Sequence, residues 1–380
     1  MVEEARQRRL ETTVSQRLPD FPWDHLTAAA ERARAHPDGV VDLSVGTPVD
    51  PTPVAIQEAL RAAADAPGYP TTIGRVETRQ AAIDWLARRH GVAGVGLDAV
   101  LPVIGSKELI ASLPGHLGVG PGDLVVHPAL AYPTYEVGTA LCGARSLATD
   151  SLTALGPEVP ALLWLNSPSN PTGRVLPVSH LRKVVDWCRE RGTLLVSDEC
   201  YLELTWEDEP AVSVLHPDVC GGSHDGILAV HSLSKRSNLA GYRCAFVAGD
   251  PSLVRELLAV RKNLGLMMPA PQQAAMVAAL EADDDAAEQH ARYAARRARL
   301  REALIAAGFR IDHSEGALYL WATRDEDCWE TVSWLADRGI LAAPGAFYAP
   351  VGSQAGARHV RVAFTASDER IDAAVARLAP

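Results

Sequence analysis

The segment Ile227-Leu228-Ala229-Val230-His231-Ser232-Leu233-Ser234-Lys235 begins as an apolar β-strand and ends in a lysine. Similar strand-like runs alternate with helical ones before it, at residues 99–104, 124–127, 161–165 and 193–197. Such alternation favours a mainly parallel sheet with helices on both faces. The sequence therefore predicts an α/β fold.

Residues 179–191 are predicted to form one of the covering helices. Apolar side chains recur there at positions i, i+3, i+4 and i+7: Leu181, Val184, Val185 and Cys188. Ser179 is the predicted N-cap and Gly192 the predicted C-terminal stop.

A change of pattern after about Pro271 indicates a second unit. A long polar helix comes first, and short strands follow near residues 318–321 and 359–364. We predict a large domain over residues 48–276 and a smaller α+β domain from residues 1–47 and 277–380.

Composition excludes several classes of protein. The 380 residues are 47% hydrophobic and carry a net charge of -11, which argues against the basic face that nucleic-acid binding needs. The six cysteines form no C-x-x-C pair, so neither a metal site nor a disulfide framework is expected. Residues 1–6 lack the features of a signal peptide, and no apolar run approaches a membrane span. A cytoplasmic protein with no membrane partner is predicted.

Lys235 is the first candidate for chemistry. A lysine can hold the aldehyde of pyridoxal 5'-phosphate as an imine if the chain also supplies an anion for the ring nitrogen, donors for the phenolate oxygen and a phosphate site. Asp198 follows an apolar strand at the carboxyl edge, where open α/β sheets bind ligands, and is the candidate anion. The alternative is an aspartate that only caps a turn.

Two residues are candidate donors to the phenolate oxygen. Tyr201 lies three residues after Asp198, and Asn170 opens the sequence Asn-Pro-Thr-Gly, which alone is an ordinary turn. The ring of Tyr132 follows another strand and either lies on the cofactor's face or packs in the core.

Gly105-Ser106-Lys107 is the candidate phosphate loop, because it joins a strand to an apolar helical run and a helix N-terminus attracts anions. Ser232 and Arg243 would complete it, although a surface salt bridge is the commoner fate of an arginine. Arg361 lies inside the apolar strand Val360-Arg361-Val362 and needs an anion: the α-carboxylate of an amino acid or an internal carboxylate.

Taken in order, these motifs resemble the fold-type I, class I/II pyridoxal-phosphate aminotransferases over essentially the whole chain. The resemblance implies a seven-stranded sheet in the large domain, with Lys235, Asp198 and Tyr201 as catalytic residues. It also implies the following cofactor-binding residues: Gly105, Ser106, Lys107, Tyr132, Asn170, Asp198, Tyr201, Ser232, Ser234, Lys235 and Arg243.

Members of that family are homodimers with shared active sites. Residues 68–71 look like the segment that lends a tyrosine to the partner's phosphate site, which makes Tyr69 a site residue in trans. Gly46 looks like the glycine whose backbone approaches the substrate carboxylate, beside Asn170 and Arg361; otherwise it is a plain turn before Pro48.

A narrower resemblance is to the actinobacterial-type N-succinyldiaminopimelate aminotransferases of lysine biosynthesis, through phrases such as residues 17–23, 42–50 and 166–173. The implied reaction exchanges an amino group between glutamate and N-succinyl-2-amino-6-oxopimelate. Both substrates carry a second carboxylate, so a further cation is predicted, with Arg75 and Lys262 as candidates. Another class I aminotransferase (aspartate, aromatic or alanine type) and a carbon–sulfur β-lyase stay open as alternatives. A non-catalytic regulator with a winged helix is not expected.

Overall fold

The computed structural model describes residues 13–206 and 210–379, except for the side chain of Arg17. Residues 1–12 lie outside these ranges, so the predicted absence of a signal peptide and the start of the predicted small domain do too. Within the described ranges, none of the helices combines the length and the hydropathy that a membrane span needs.

The described residues form thirteen strands: β1 (Val41–Asp42), β2 (Val100–Ile104), β3 (Leu124–His127), β4 (Arg145–Ala148), β5 (Leu162–Asn166), β6 (Leu194–Asp198), β7 (Ile227–Ser232), β8 (Cys244–Gly249), β9 (Arg310–Asp312), β10 (Tyr319–Thr323), β11 (Ile340–Leu341), β12 (Ala343–Pro344) and β13 (Val360–Ala363).

The α-helices of the same ranges are α1 (Val14–Arg17), α2 (Thr27–Arg34), α3 (Val54–Ala62), α4 (Val76–His90), α5 (Ser106–His116), α6 (Thr134–Cys142), α7 (Val178–Arg191), α8 (Pro217–Cys220), α9 (Leu233–Arg236), α10 (Pro251–Leu264), α11 (Ala270–Glu281), α12 (Asp283–Ala306), α13 (Cys328–Ala336) and α14 (Asp368–Leu378). Short 3₁₀ helices cover Pro22–Leu26, Leu97–Ala99, Leu152–Leu155, Ala240–Tyr242 and Gly345–Tyr348.

A seven-stranded sheet in the order β2-β8-β7-β6-β5-β3-β4 forms the centre of the fold. Strand β8 is antiparallel to both of its neighbours, and the other pairs are parallel. Separate clusters of buried apolar side chains cover its two faces. The structure confirms the predicted α/β class and the mainly parallel sheet. Because parallel strands end at a common edge, β5, β6 and β7 bring Asn166, Asp198 and Ser232 to the same side.

Helix α7 shows how the sequence covers the sheet. Its predicted apolar stripe is buried, and Gly192 ends it in the left-handed conformation at φ 67°, as predicted. The predicted N-cap is wrong: the cap position is Pro177, and Ser179 lies inside the first turn. Pro177 supplies a fixed φ just before the helix, so a side-chain cap is not used there.

A second, antiparallel sheet in the order β12-β13-β10-β9 lies toward the C-terminus. The N-terminal segment joins it, since β1 pairs with β11 and the N–H of Ala363 donates to the carbonyl of Leu43 at 2.8 Å. One apolar cluster contains side chains from both segments, including Leu26, Leu43 and Leu320. The exact domain boundaries stay a prediction.

Two strands of the large sheet were not predicted. Strand β4 is an edge strand whose residues are all exposed or half-buried, so it carries no apolar signal. Strand β8 is fully buried but built partly from small residues, Cys-Ala-Phe-Val-Ala-Gly. The two strands show that a short edge strand and a central strand rich in small residues are weakly marked in sequence.

Candidate active site

A cavity of about 530 Å³ opens where the carboxyl ends of the central strands meet the second sheet. Twelve of the predicted site residues line it: Gly46, Ser106, Lys107, Tyr132, Asn170, Asp198, Tyr201, Ser232, Ser234, Lys235, Arg243 and Arg361. Gly105 lies directly beside it, whereas Tyr69 does not contribute to its wall. The structure therefore brings together residues that are far apart in sequence.

Lys235 enters the cavity from the short helix α9. Ser232 is the N-cap of this helix, because its hydroxyl accepts from the N–H of Ser234 at 3.2 Å. The Nζ of Lys235 donates to the carbonyl of Gly46 from the N-terminal segment. Burial lowers the pKa of Lys235, and the nearby cations Arg361 and Arg243 lower it further. A lowered pKa makes this amine a better nucleophile and proton carrier than an exposed lysine.

Asp198 ends β6 and is 5% exposed. The hydroxyl of Tyr135 donates to its Oδ2 at 2.8 Å, and the N–H of Cys200 donates to its Oδ1 at 3.2 Å. Burial raises the pKa of Asp198, while these donors act in the opposite direction. Within the described residues no cation pairs with this carboxylate. It caps a turn through Cys200, as the alternative interpretation expected, but it also faces the cavity.

Asn166 was not recognised from the sequence, although it lies four residues before Asn170. Its Oδ1 accepts from the N–H of Asn170 at 2.7 Å, and its Nδ2 donates to the carbonyl of Asp198 at 2.9 Å. One buried amide therefore fixes the Asn-Pro-Thr-Gly turn against β6. The peptide bonds Ser167-Pro168 and Asn170-Pro171 are cis in this turn.

Arg361 is 2% exposed and lies in the middle of β13. Its Nη1 donates to Oδ1 of Asn170 at 2.8 Å, and its Nη2 donates to the carbonyl of Ser44 at 2.6 Å. The buried Nε has no hydrogen-bond partner, and the described residues provide no ion pair. The internal carboxylate that the sequence left open is therefore absent from these ranges. A buried cation of this kind is suited to an anionic ligand.

Tyr201 and Tyr319 form a buried pair beside Arg361. Their hydroxyl oxygens are 2.9 Å apart, and the guanidinium carbon of Arg361 lies 4.0 Å from the ring centre of Tyr319. Burial raises the pKa of Tyr201 well above its usual value. Burial would also raise the pKa of Tyr319, but the cations Arg361 and Lys235 outweigh it, so that pKa is lowered. Tyr319, in the strand start Gly-Ala-Leu-Tyr, was not singled out from the sequence.

The predicted phosphate loop has the expected shape. Gly105 precedes α5 with φ 90°, a conformation that favours glycine, and a Cβ added there would meet Nη2 of Arg243 at 2.0 Å. Arg243 itself makes no ion pair among the described residues and donates to the carbonyl of Ala240 at 2.7 Å. The first N–H groups of α5 have no partner within the helix, so the loop and Arg243 together form an anion-binding corner.

The ammonium group of Lys107 forms no ion pair with a carboxylate among the described residues. Its Nζ lies 5.7 Å from the ring centre of Phe21 and 5.9 Å from that of Tyr132. Both rings belong to the cavity wall. Lys107 is thus an exposed cation at the mouth of the cavity, held by aromatic rings.

Three further residues that were predicted to belong to the site lie outside this cavity. Tyr69 is 98% exposed, as a residue that acts on a partner subunit would be in a single chain. Arg75 is exposed and lies 3.5 Å from Glu77, and Lys262 is exposed on α10. Neither Arg75 nor Lys262 is part of the cavity wall within this chain, so the structure gives no support to either as the second cation and both stay predictions.

The residues of the cavity fit pyridoxal 5'-phosphate. A buried carboxylate without a cation suits a pyridinium nitrogen, and the hydroxyl of Tyr201 suits the phenolate oxygen. Asn170 accepts through its Oδ1, so its NH₂ group is the donor left for a ligand. The anion-binding corner at Gly105 suits the phosphate.

Comparison with known proteins agrees with this geometry. The sequence profile of the family described as "Aminotransferase class I and II" matches residues 38–378. The chain belongs to this family. It is therefore a pyridoxal-phosphate-dependent aminotransferase, which moves amino groups between amino acids and 2-oxo acids.

Among its relatives, a probable aminotransferase of Mycobacterium tuberculosis is 63% identical over 96% of this chain and 86% of its own length. The 4-dedimethylamino-4-oxo-anhydrotetracycline transaminase OxyQ of Streptomyces rimosus is 59% identical over 95% of this chain and 99% of its own length. A solved structure, of a probable N-succinyldiaminopimelate aminotransferase from Thermus thermophilus, superposes with a TM-score of 0.83 at 27% identity and covers 94% and 99% of the two chains. These similarities confirm the fold-type I architecture.

Proposed function

We propose that this aminotransferase exchanges an amino group between L-glutamate and N-succinyl-2-amino-6-oxopimelate, in lysine (diaminopimelate) biosynthesis. The observation that carries the proposal is the pair of cations Arg361 and Lys107, which line one cavity and have no carboxylate partner among the described residues. Two separated cations suit a substrate with two separated carboxylates. The name of the Thermus thermophilus relative supports the same substrate class.

Most of the predicted site residues that line the cavity have a proposed role in cofactor binding. Asp198 pairs with the ring nitrogen, Asn170 and Tyr201 donate to the phenolate oxygen, and Tyr132 lies against the ring. The phosphate is held by the remaining predicted residues: Gly105, Ser106, Ser232, Ser234 and Arg243. Lys107 contributes its backbone to this group, while its side chain points to the cavity mouth. When bound, the cofactor supplies an electron sink for the carbon that loses a proton.

Lys235 is the proposed proton carrier. It would hold the cofactor's aldehyde in the resting enzyme, and its Nζ, when released by the substrate's amino group, would take and return the proton at the reacting carbon. Gly46 supports it, because its carbonyl accepts from Nζ and so orients the amine. Residue 46 must also be small, since a Cβ there would meet Oη of Tyr319 at 2.6 Å. Arg361 binds the α-carboxylate, and Lys107 binds the second carboxylate in place of Arg75 and Lys262.

The similarity to OxyQ supports a second candidate function. That relative is named a transaminase of an oxo-anhydrotetracycline, and it shares 59% of its residues with this chain. Amino transfer to a bulky ring ketone, with no requirement for a second carboxylate, is therefore the competing proposal. An aspartate aminotransferase is less well supported. Residues 266–269, Leu-Met-Met-Pro, are apolar and contain no cation that could bind the second carboxylate of aspartate.

A half-reaction screen tests the first of these proposals. The change in absorbance as the bound cofactor accepts an amino group is followed with N-succinyl-diaminopimelate, glutamate, aspartate, alanine, an aromatic amino acid and cystathionine. We expect the first two to react best. No reaction with N-succinyl-diaminopimelate would overturn the narrow proposal and leave the aminotransferase assignment intact.

A matched pair of variants tests the substrate contacts. Lys107→Gln is expected to weaken the reaction with glutamate by tenfold or more, about 1.4 kcal/mol, and to leave alanine unaffected, because alanine lacks the second carboxylate. Arg361→Gln is expected to weaken the reactions with both glutamate and alanine, because both substrates carry an α-carboxylate. Equal loss for glutamate and alanine in Lys107→Gln would contradict the second-carboxylate role.

Two wider assignments are part of the proposal. A homodimer with shared active sites is supported by the full exposure of Tyr69 outside the cavity. The cytoplasmic location predicted above stays a prediction.

A further inference from the structure

We propose that Tyr319 is a positioning residue of the active site, whose hydroxyl donates to the hydroxyl of Tyr201 and so turns the proton of Tyr201 toward the cofactor. The inference rests on the proposed function only in that Tyr201 binds the phenolate oxygen. It assigns a role to a strand residue that none of the motifs in the sequence marks.

The first step is the fixed geometry of Tyr319. Its side chain is buried, with the guanidinium of Arg361 4.0 Å above its ring. On another side the backbone of Gly46 is so close that a Cβ would come within 2.6 Å of both Cε1 and Oη. The ring therefore has one position, and its hydroxyl meets that of Tyr201 at 2.9 Å.

The second step is the direction of the hydrogen bond. Each phenol has one proton to donate. If Tyr201 donates its proton to the cofactor, its oxygen is left to accept from Tyr319. The charges agree with this direction, because burial raises the pKa of Tyr201, whereas at Tyr319 the effect of burial is outweighed by the cations Arg361 and Lys235 and the pKa is lowered. The more acidic phenol is the better donor.

The third step is the consequence for the cofactor. A chain of hydrogen bonds strengthens its last donor, so Tyr319 makes Tyr201 a stronger donor to the phenolate oxygen. Donors to that oxygen favour the form of the chromophore that has lost its proton. Removal of the Tyr319 hydroxyl should therefore move the absorbance transition of the bound cofactor to higher pH.

The experiment is a pH titration of the absorbance of enzyme loaded with pyridoxal 5'-phosphate, without substrate. Tyr319→Phe keeps the ring against Arg361 and removes one oxygen atom. We expect its transition to shift upward by about 0.3 unit or more, and that of Tyr201→Phe to shift further in the same direction. In the double variant the Tyr319→Phe shift should disappear, because it acts only through Tyr201.

Tyr348→Phe is the matched control. The ring of Tyr348 also lies against Arg361, at 4.8 Å, but its buried hydroxyl has no hydrogen-bond partner among the described residues. We expect no shift there. The inference is overturned if Tyr319→Phe behaves like Tyr348→Phe, or if its shift persists in the Tyr201→Phe background. Should Tyr319→Phe not fold, Tyr319→Leu removes the hydroxyl together with the ring, and the part of its shift that disappears in the Tyr201→Phe background reports on the hydroxyl.

The outcome is distinct from failure of the proposed function. Wild-type protein without a cofactor absorbance would contradict the role of Lys235. A normal wild-type titration that is insensitive to Tyr319→Phe would contradict only the role of Tyr319.

Discussion

At the residue scale, the cavity holds two arginines in unlike surroundings. Arg243 is exposed and packs on Gly105, whereas Arg361 is buried with one nitrogen unpartnered. Because Arg361 is desolvated, its positive charge needs a bound anion for stabilisation. We expect Arg361→Ala to weaken glutamate binding by about 2 to 5 kcal/mol, as for a truncated buried charge pair. The dissociation constant is measured from the absorbance change, with Arg338→Ala as a control, since that arginine packs on Trp334 away from the cavity. An unchanged constant would refute the carboxylate role.

Lys235→Ala is the second prediction at this scale. The variant should fold and lose both amino transfer and the absorbance of lysine-bound cofactor, because in the described part of the chain no other lysine lines the cavity except Lys107 at its mouth. Absorbance spectra and thermal unfolding of the two proteins provide the measurement. Residual amino transfer by the purified variant would count against Lys235 as the proton carrier.

Sequence motifs identified the charged residues that line the cavity better than the residues that contact and orient them. Lys235, Asp198 and Arg361 stood out because each is a charge in an apolar strand or close to its end. Tyr135, Asn166 and Tyr319 act through contacts from other elements, and such contacts are not encoded by local spacing. A tyrosine or an asparagine near a strand is common, so only the folded chain shows that these three are partners of the predicted site.

At the element scale, the N-cap of α10 provides a pH-dependent test. Asp250 accepts from the N–H and the hydroxyl of Ser252, both at 2.7 Å, and from the N–H of Gly226 at 2.8 Å. Burial alone would raise the pKa of Asp250, but these donors lower it below its ordinary value of 3.8. The stabilisation is therefore complete above that value and is lost as the pH falls through the lower folded pKa.

Asp250→Ala is expected to lower the free energy of unfolding by about 1 to 2 kcal/mol at pH 7. Urea unfolding of the wild type and the variant measures the difference. The difference in the free energy of unfolding should become smaller when the pH falls below about 3.8. A difference that stays constant down to pH 3 would show that the carboxylate charge is not what caps the helix.

Helix α7 and strand β8 show what could be predicted for elements. The stop at Gly192 followed from the need for a left-handed residue, whereas the N-cap was misplaced by two residues because several capping geometries are compatible with Pro177-Val178-Ser179. Strand β8 was missed, since it is buried on both faces, is built partly from small residues and shows no alternation of apolar and polar positions. Apolar periodicity therefore located the elements, while boundaries and buried small-residue strands needed tertiary contacts.

At the scale of the whole molecule, Arg296 joins three distant segments. From α12 it forms two hydrogen bonds of 2.7 Å with Asp50, and it also reaches Asp368 at 3.1 Å at the start of α14. The arginine is buried, so its removal would leave the largely buried carboxylate of Asp50 without its cation, whereas Asp368 would keep Arg299. We expect Arg296→Ala to lower the free energy of unfolding by about 3 to 5 kcal/mol. Arg299→Ala is the control: it touches the same Asp368 from the surface and should cost about 1 kcal/mol or less. Equal losses in urea unfolding would contradict this ranking.

The exposure of Tyr69 leads to a prediction about assembly. If Tyr69 reaches the partner's phosphate site, Tyr69→Ala should weaken cofactor binding although Tyr69 is outside the cavity of its own chain. Lys235→Ala should be inactive because it lacks the proposed proton carrier. When the two variants are unfolded and refolded together, a hybrid dimer contains one site with both an intact lysine and an intact tyrosine. We therefore expect amino transfer to rise above the sum of the separate variants, measured by the half-reaction with glutamate. A Tyr69 that acted within its own chain would produce no such site, because each cavity of the hybrid would then lack one of the two residues, and the activity of the mixture would stay at that sum.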